Sequence, residues 1–260
     1  MMTQVRELYQ YREAVRHLVA RDLKVRYSNS VLGVLWSLFS PLLMTVVYSL
    51  VFTFLVPNGV DKFPVFILAG LLPWTFFTAS VAGATTSITG NAHLINRVYF
   101  PREVLIVANL LSNAVNFGIS LGLLFVFIIA LRAPVGLSLA WLPIIVAAQA
   151  ALTLGLGLLL GAVNVYLRDT QHIVDAGLLA LFFLTPILYD ISVITDPALQ
   201  LLLQIVNPMA GLVTAYRAVL YAGTQPDPAV LAANTATALL ALAVGALVFR
   251  RLSPAFAEEV

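Results

Sequence analysis

The chain has 260 residues, of which 61% are apolar or aromatic and only 10% are charged, with a formal net charge of +2. Soluble domains carry about 25% charged residues, so a water-soluble enzyme of this length is excluded and lipid is the solvent that the composition fits. The absence of cysteine rules out disulfides, thiolate metal sites and cysteine nucleophiles, and so small a positive surplus does not point to nucleic acid.

Residues 6–27 read as an amphipathic helix. At about 100° per residue, Leu8, Tyr11, Val15, Leu18, Val19, Leu23 and Val25 share one face, opposite Glu13, His17, Arg21 and Lys24. Such a helix lies along a membrane surface with its basic side toward anionic head groups. Asp22 interrupts the apolar stripe, and Arg26, four residues on, is its expected partner. The basic residues orient the span that follows. Arg21, Lys24 and Arg26 also stand where the anionic head group of a substrate would meet them, and both roles are compatible.

A helix needs about 20 apolar residues to cross hydrocarbon. Residues 31–56, 64–87, 104–131, 139–163 and 231–249 satisfy this, and 173–189, apolar apart from Asp175 and Thr185, is expected to span from a turn earlier. The first run is too long for the apolar region of a signal peptide and no small-residue cleavage site ends it, so it is expected to remain as a span. Between 190 and 228 lie two shorter apolar pieces, 197–206 and 209–222, separated by Asn207 and Pro208 and carrying Arg217. Pieces of this length are more often interfacial or re-entrant than spanning. With six spans, eleven of the Arg and Lys residues fall on the side of the N-terminus and three opposite, as the positive-inside rule requires; a seventh span weakens that bias.

Gly118 with Gly122 and Gly157 with Gly161 form small-xxx-small patterns, expected to serve packing within the chain. Pro41, Pro73, Pro143 and Pro186 are expected to bend their helices. Asp175 is the only ionisable candidate at membrane depth and reads as a first-turn acid facing its helix dipole, which argues against ion coupling. His17, His93 and His172 are scattered and no H-E-x-x-H run occurs, so no metal site is expected. Neither a G-x-S-x-G elbow nor a G-x-x-x-x-G-K-[ST] loop is present, and no catalytic residue is assigned. The spans instead carry aromatic residues, among them Tyr48, Phe52, Trp74, Phe77, Phe117, Phe182 and Tyr189. Such rings form interfacial belts or face lipid; an uncharged aromatic lining also suits a sugar chain, whose apolar faces stack on rings.

Arg21-Asp-Leu-Lys-Val-Arg-Tyr27, then Val31-Leu-Gly-Val-Leu-Trp36 and Pro41, resembles the start of ABC-2 type permeases that export polysaccharides, the membrane subunits of O-antigen and teichoic-acid transporters. Asn96-Arg-Val-Tyr-Phe-Pro-Arg-Glu103, Tyr166-Leu-Arg-Asp-Thr-Gln-His-Ile173, Thr185-Pro-Ile-Leu-Tyr189 and Asn207-Pro-Met-Ala-Gly-Leu-Val-Thr-Ala-Tyr-Arg217 resemble the same family, in its order. The resemblance implies an all-α membrane protein of six spans, with an amphipathic interface helix before them and two short helices between spans five and six acting as an outer gate. It divides the chain into a cytoplasmic segment 1–30, a transmembrane domain 31–249 and a tail 250–260. It implies a homodimer on two separate ATPase subunits that bind ATP and Mg, with no cofactor in this chain. Asn91, His93, Leu94, Asn96 and Arg97 become candidates to seat in the ATPase, with Arg168, Asp169 and His172 as a second contact. Arg21, Lys24, Arg26, Tyr27 and Trp36 become candidates for the entrance of a lipid pyrophosphate, and the aromatic residues for a channel lining. The implied location is the cytoplasmic membrane, both termini inside. A drug or lipid permease of the same fold is the nearest alternative; a multi-span membrane enzyme would need clustered acids, and Asp61, Asp190, Asp196 and Asp227 are scattered.

Overall fold

The computed structural model describes residues 11–27, 35–55, 60–95 and 100–259, and among them the fold is all-α. In chain order the helices are α1 (Arg12–Tyr27), α2 (Leu35–Leu50, continued by a π-turn Val51–Leu55), α3 (Phe63–Ser87), α4 (Ala92–Ile95) and α5 (Glu103–Ala130). They continue with α6 (Leu142–Tyr166), α7 (Thr170–Leu184), α8 (Pro197–Val206), α9 (Pro208–Arg217, continued by a π-turn Ala218–Ala222), α10 (Pro228–Leu252) and α11 (Phe256–Glu259).

Four stretches are long and apolar enough to cross a membrane: Phe63–Ser87, Glu103–Ala130, Leu137–Tyr166 and Pro228–Ala255. The other two expected spans are shorter, Leu38–Leu50 and Thr170–Leu184. α7 stops earlier than the apolar run suggests because Thr185 precedes Pro186, which forces it into an extended conformation (φ −96°, ψ 134°). Asp175 falls in the second turn of α7 rather than the first; Asp169 takes the cap position, so the expected dipole role does not apply to Asp175.

α3 is apolar on every side and forms the centre of the bundle, with 78% of its most apolar stretch buried against 28% for α5 and for α10. α2, α5, α6, α7 and α9 pack around it. The closest approach is between α6 and α10. A Cβ at Gly155 would fall on the backbone of Ala241 and Leu242, and one at Gly245 on the Gly155 carbonyl. Gly157 and Gly161 meet Ala84 and Ile106 in the same way, as expected of intrachain packing. Gly118 and Gly122 do not: both are exposed on α5, and among the described residues nothing lies within 4 Å of an added Cβ, so their spacing serves no packing among those residues.

Three Asx-Pro pairs start α8, α9 and α10. Asp196 accepts from the Ala198 N–H at 2.9 Å, Asn207 from Ala210 at 3.3 Å and Asp227 from Ala229 at 2.8 Å, with Pro197, Pro208 and Pro228 at the first helical position. The Asn207 start bends α9 by 109° from α8. α8 and α9 are therefore two short helices and not a straight seventh rod. The pair closes at Gly223, whose φ of +67° needs no Cβ strain.

α1 begins at Arg12 among the described residues, and Val15 is buried with Leu18, Val19 and Leu23 half-buried, as the apolar stripe requires. Val25 departs from the stripe and is exposed.

Leucine at Gly155 or Gly245 overpacks the α6–α10 crossing, a change that typically costs about 1–3 kcal/mol. The melting temperature of the detergent-solubilised protein is expected to fall for each, and to stay within about a degree for Leu at exposed Gly177.

Candidate functional site

The segment expected to be the first inner loop follows α3 without a break in handedness: Ile88 is helical, Thr89–Asn91 form a 3₁₀ turn and α4 completes it. Ile95 and Ile88 drop into an apolar cluster with Ala84, Leu105, Val165 and Phe249, and Leu94 packs against it, while His93 is exposed. Asn91 donates to the Ser87 carbonyl at 2.8 Å and accepts from Arg21 at 3.3 Å. Asn96 and Arg97 lie outside the described residues.

The second inner loop sits at the same end. Arg168, Asp169 and His172 are exposed there. The residue that joins the two loops is Asn164, only 1% exposed. Its Oδ1 accepts the Gln171 N–H at 3.2 Å and its Nδ2 donates to Thr89 Oγ1 at 3.5 Å. Sequence reasoning passed over it, although a lone amide close to the inner end of an apolar span is a visible signal. The C-terminal segment also folds under this end. Phe256 is fully buried, its ring 6.1 Å from Tyr166 and 5.3 Å from Phe249, with the Arg102 guanidinium 5.8 Å away; Tyr166 donates to the Leu252 carbonyl at 3.0 Å.

α1 reaches the same region. Arg21 pairs with adjacent Asp22 (2.9 Å), so the expected Asp22–Arg26 pair does not form. Arg26 instead donates from both terminal nitrogens to Asn113 Oδ1 on α5, each at 3.1 Å. The reason is reach: Asn113 is largely buried and offers an acceptor to a side chain arriving from the surface helix. Lys24 is exposed. The side chains of Tyr27 and Trp36 lie outside the described residues.

The aromatic candidates divide by burial. Trp74, Phe77 and Phe117 are buried: Trp74 meets Phe77 at 5.7 Å and Phe182 at 5.8 Å, and Phe117 stacks on Phe76 at 5.0 Å. Tyr48, Phe52, Phe182 and Tyr189 are half-buried.

The outer hairpin α8–α9 is held by a buried polar network. Arg217, counted in the sequence as an outer-side charge, is only 6% exposed. Its guanidinium donates to the carbonyls of Phe66 (3.4 Å), Pro186 (2.5 Å), Ile187 (2.5 Å) and Tyr189 (2.9 Å), and lies 3.6 Å from the centre of the Phe66 ring. Beside it, Asn207 donates to Thr185 Oγ1 at 2.9 Å. Tyr216 donates to Gln149 Oε1 at 2.7 Å, and Gln149 donates to the Pro73 carbonyl at 2.7 Å.

A family model described as ABC-2 type transporter matches residues 13–221. The chain is 38% identical to the O-antigen export system permease protein RfbA of Myxococcus xanthus, over all of both chains. It is 30% identical to a protein of the same name from Klebsiella pneumoniae, over 92% of this chain and 91% of that one. It is 23% identical to the polysialic acid transport protein KpsM of Escherichia coli, over 91% of this chain and 92% of that one.

Replacing Arg217 with Leu leaves four carbonyls without their donor, at about 1–3 kcal/mol for each buried group left unmet. The variant is expected to melt well below the parent in detergent, and Lys, which lacks the planar fork, to recover only part of the loss.

Proposed function

The chain belongs to the ABC-2 type transporter family, and from that premise we propose that it is the membrane subunit of an exporter that moves a lipid-linked polysaccharide outward across the cytoplasmic membrane. It is a multi-pass membrane protein. The observation that carries the substrate reading is likeness over the full length of both chains to a relative named for O-antigen export; teichoic acid is the other polymer of the same physical type.

In this reading six helices cross the membrane, α2 and α7 among them. Their shortness is compatible with spanning because each continues into further backbone: α2 into the π-turn Val51–Leu55, α7 into the carbonyl cluster around Arg217. Both ends of the described chain meet the inner loops, Arg21 at Asn91 and Leu252 at Tyr166, which supports termini on one side, the cytoplasmic one. Two copies form the conduit. Two separate ATPase subunits bind ATP and Mg and supply the energy, since this sequence has no phosphate-binding loop of its own.

The ATPases meet Asn91, His93, Leu94, Asn96 and Arg97 on the first inner segment and Arg168, Asp169 and His172 on the second. Asn164 ties the two, so a push on either reaches α3 and α7 together. α2 and α7 pack on α3 and expose most of their other faces, which leaves them the helices freest to change spacing. Arg21, Lys24, Arg26, Tyr27 and Trp36 border the entrance for the lipid pyrophosphate. Tyr48, Phe52, Phe182 and Tyr189 keep a side available to a passing sugar chain. Trp74, Phe77 and Phe117 act as wedges between helices that hold that path in shape.

A strain lacking the chain is expected to lose its surface glycan while lipid-linked precursor accumulates; loss of the precursor as well would point to an enzyme instead. Asp169→Arg and Arg97→Glu are expected to lower ATPase activity of the purified complex and export together. Asn164→Leu is expected to lower export more than ATPase activity, because it cuts the tie between the loops and leaves their surfaces in place. Unchanged activity in all three would remove the coupling assignment.

A further inference from the structure

A cleft of about 520 Å³ opens between α1, α2, α3 and α5 within the single chain, in the size range of small-molecule sites, about 300–1,000 Å³. Its α5 wall carries Asn113, Asn116 and Ser120. Spacings of three and four residues place these on one helical face, running about 10 Å along the helix axis at 1.5 Å per residue. Asn109 extends the row inward, accepting from Asn113 Nδ2 through its carbonyl at 3.1 Å. Thr75 of α3 and Ser40 of α2 add hydroxyls from the facing helices, and Phe117 and Phe76, stacked at 5.0 Å, supply an aromatic wall. Arg26 stands among the lining groups where α1 meets α5.

Polar side chains at membrane depth are rare and mark ligand pathways. Here they are almost all neutral. A pathway for protons or metal ions would present acids, and the lining has none. What the wall offers is one cation near the inner surface, then amides and hydroxyls that both donate and accept, beside stacked rings. That combination matches a phosphate followed by a sugar: the guanidinium for the anion, the amides and hydroxyls for ring hydroxyls, the rings for an apolar sugar face. Among the described residues Arg26 meets Asn113 and no carboxylate.

We propose that this cleft is a sugar-recognition subsite within one subunit, in which Arg26 holds the phosphate of the lipid-linked glycan and Asn113, Asn116, Ser120 and Thr75 read the first sugar beyond it. The proposal rests on the reading of the chain as a lipid-linked glycan exporter and adds where selection among glycans is made. Asn113 links the two halves, because its Oδ1 holds Arg26 and its Nδ2 is bonded along α5.

The test uses the complex with its ATPase in nanodiscs, titrated with four probes. These are a polyprenyl diphosphate bearing one sugar, the same lipid without sugar, phosphatidylglycerol, and the free sugar phosphate. The sugar-bearing lipid is expected to bind about tenfold tighter than the bare diphosphate, the effect of one or two neutral hydrogen bonds. Asn116→Leu with Ser120→Val is expected to remove that preference, and Thr75→Val, on a different helix, to reduce it severalfold should the first variant fold poorly. Arg26→Gln is expected to weaken both diphosphate lipids. Equal binding of phosphatidylglycerol, or a sugar preference that survives in the variants, overturns the cleft assignment and leaves the export reading standing. No binding of either diphosphate lipid to the parent complex overturns both.

Discussion

A helix that stops inside a membrane leaves carbonyls without donors, and hydrocarbon supplies no water to meet them. α7 stops at Thr185 among buried residues, and Arg217 is the group that answers the chain beyond it, giving its guanidinium to the carbonyls of Pro186, Ile187 and Tyr189. The outer end of the molecule depends on this one cation. It comes from α9, so satisfying the end of α7 also fixes the hairpin, and its bond to the Phe66 carbonyl joins both to the central helix. Gly70 leaves the room: a Cβ there would come within 3.1 Å of an Arg217 terminal nitrogen. A buried ion pair would have required a second desolvated charge; carbonyl dipoles stabilise the cation without one.

The inner end is built on weaker ties. Arg21 to Asn91 at 3.3 Å and Asn164 to Thr89 at 3.5 Å are long, and the first of them is solvent-exposed. Exposed bonds of this kind contribute little to stability, so the loops can shift relative to α1 at small cost. The apolar cluster beneath them, with Phe256 as its plug, is what keeps them assembled. The molecule is therefore held more firmly at its hairpin than at the loops beside Asn91 and Asn164.

Much of this was legible in the sequence, for reasons particular residues make plain. Long apolar runs mark α3, α5, α6 and α10 because lipid demands about 20 such residues in a row, and Asn207 with Pro208 marks the break between the two short apolar pieces. What composition cannot report is direction. Arg217 reads as one more outer arginine until the fold turns it inward onto carbonyls 28 to 31 residues before it. Gly118 and Gly122 have the spacing of a packing motif, yet no described neighbour arrives, whereas Gly155 and Gly245, unremarkable by spacing, bring the backbones of α6 and α10 against each other. Asp22 finds Arg21 and not Arg26 because Asn113, distant in sequence, competes for the latter. Arg217 and Arg26 are claimed by tertiary neighbours that override a local rule, whereas Gly118 and Gly122 lack, among the described residues, the neighbour their spacing implies.

α5 shows how two functions share one membrane helix. Leu111, Val115, Gly118, Gly122, Val126 and Ile129 lie on its outward face, spaced by threes and fours and exposed, while Asn113, Asn116 and Ser120 line the cleft. Beyond Glu103 at its start, the helix is apolar enough to insert because its polar groups are few and uncharged, and they fall in one narrow stripe that faces α1, α2 and α3. Charges in that stripe would have bound a phosphate more strongly, but would also have demanded counter-ions at membrane depth. Amides avoid that demand. They are side chains with which an uncharged, hydroxyl-rich ligand could exchange hydrogen bonds one for one, so in the proposed subsite the same neutrality that suits α5 to the bilayer would keep a sugar from being held too tightly to leave.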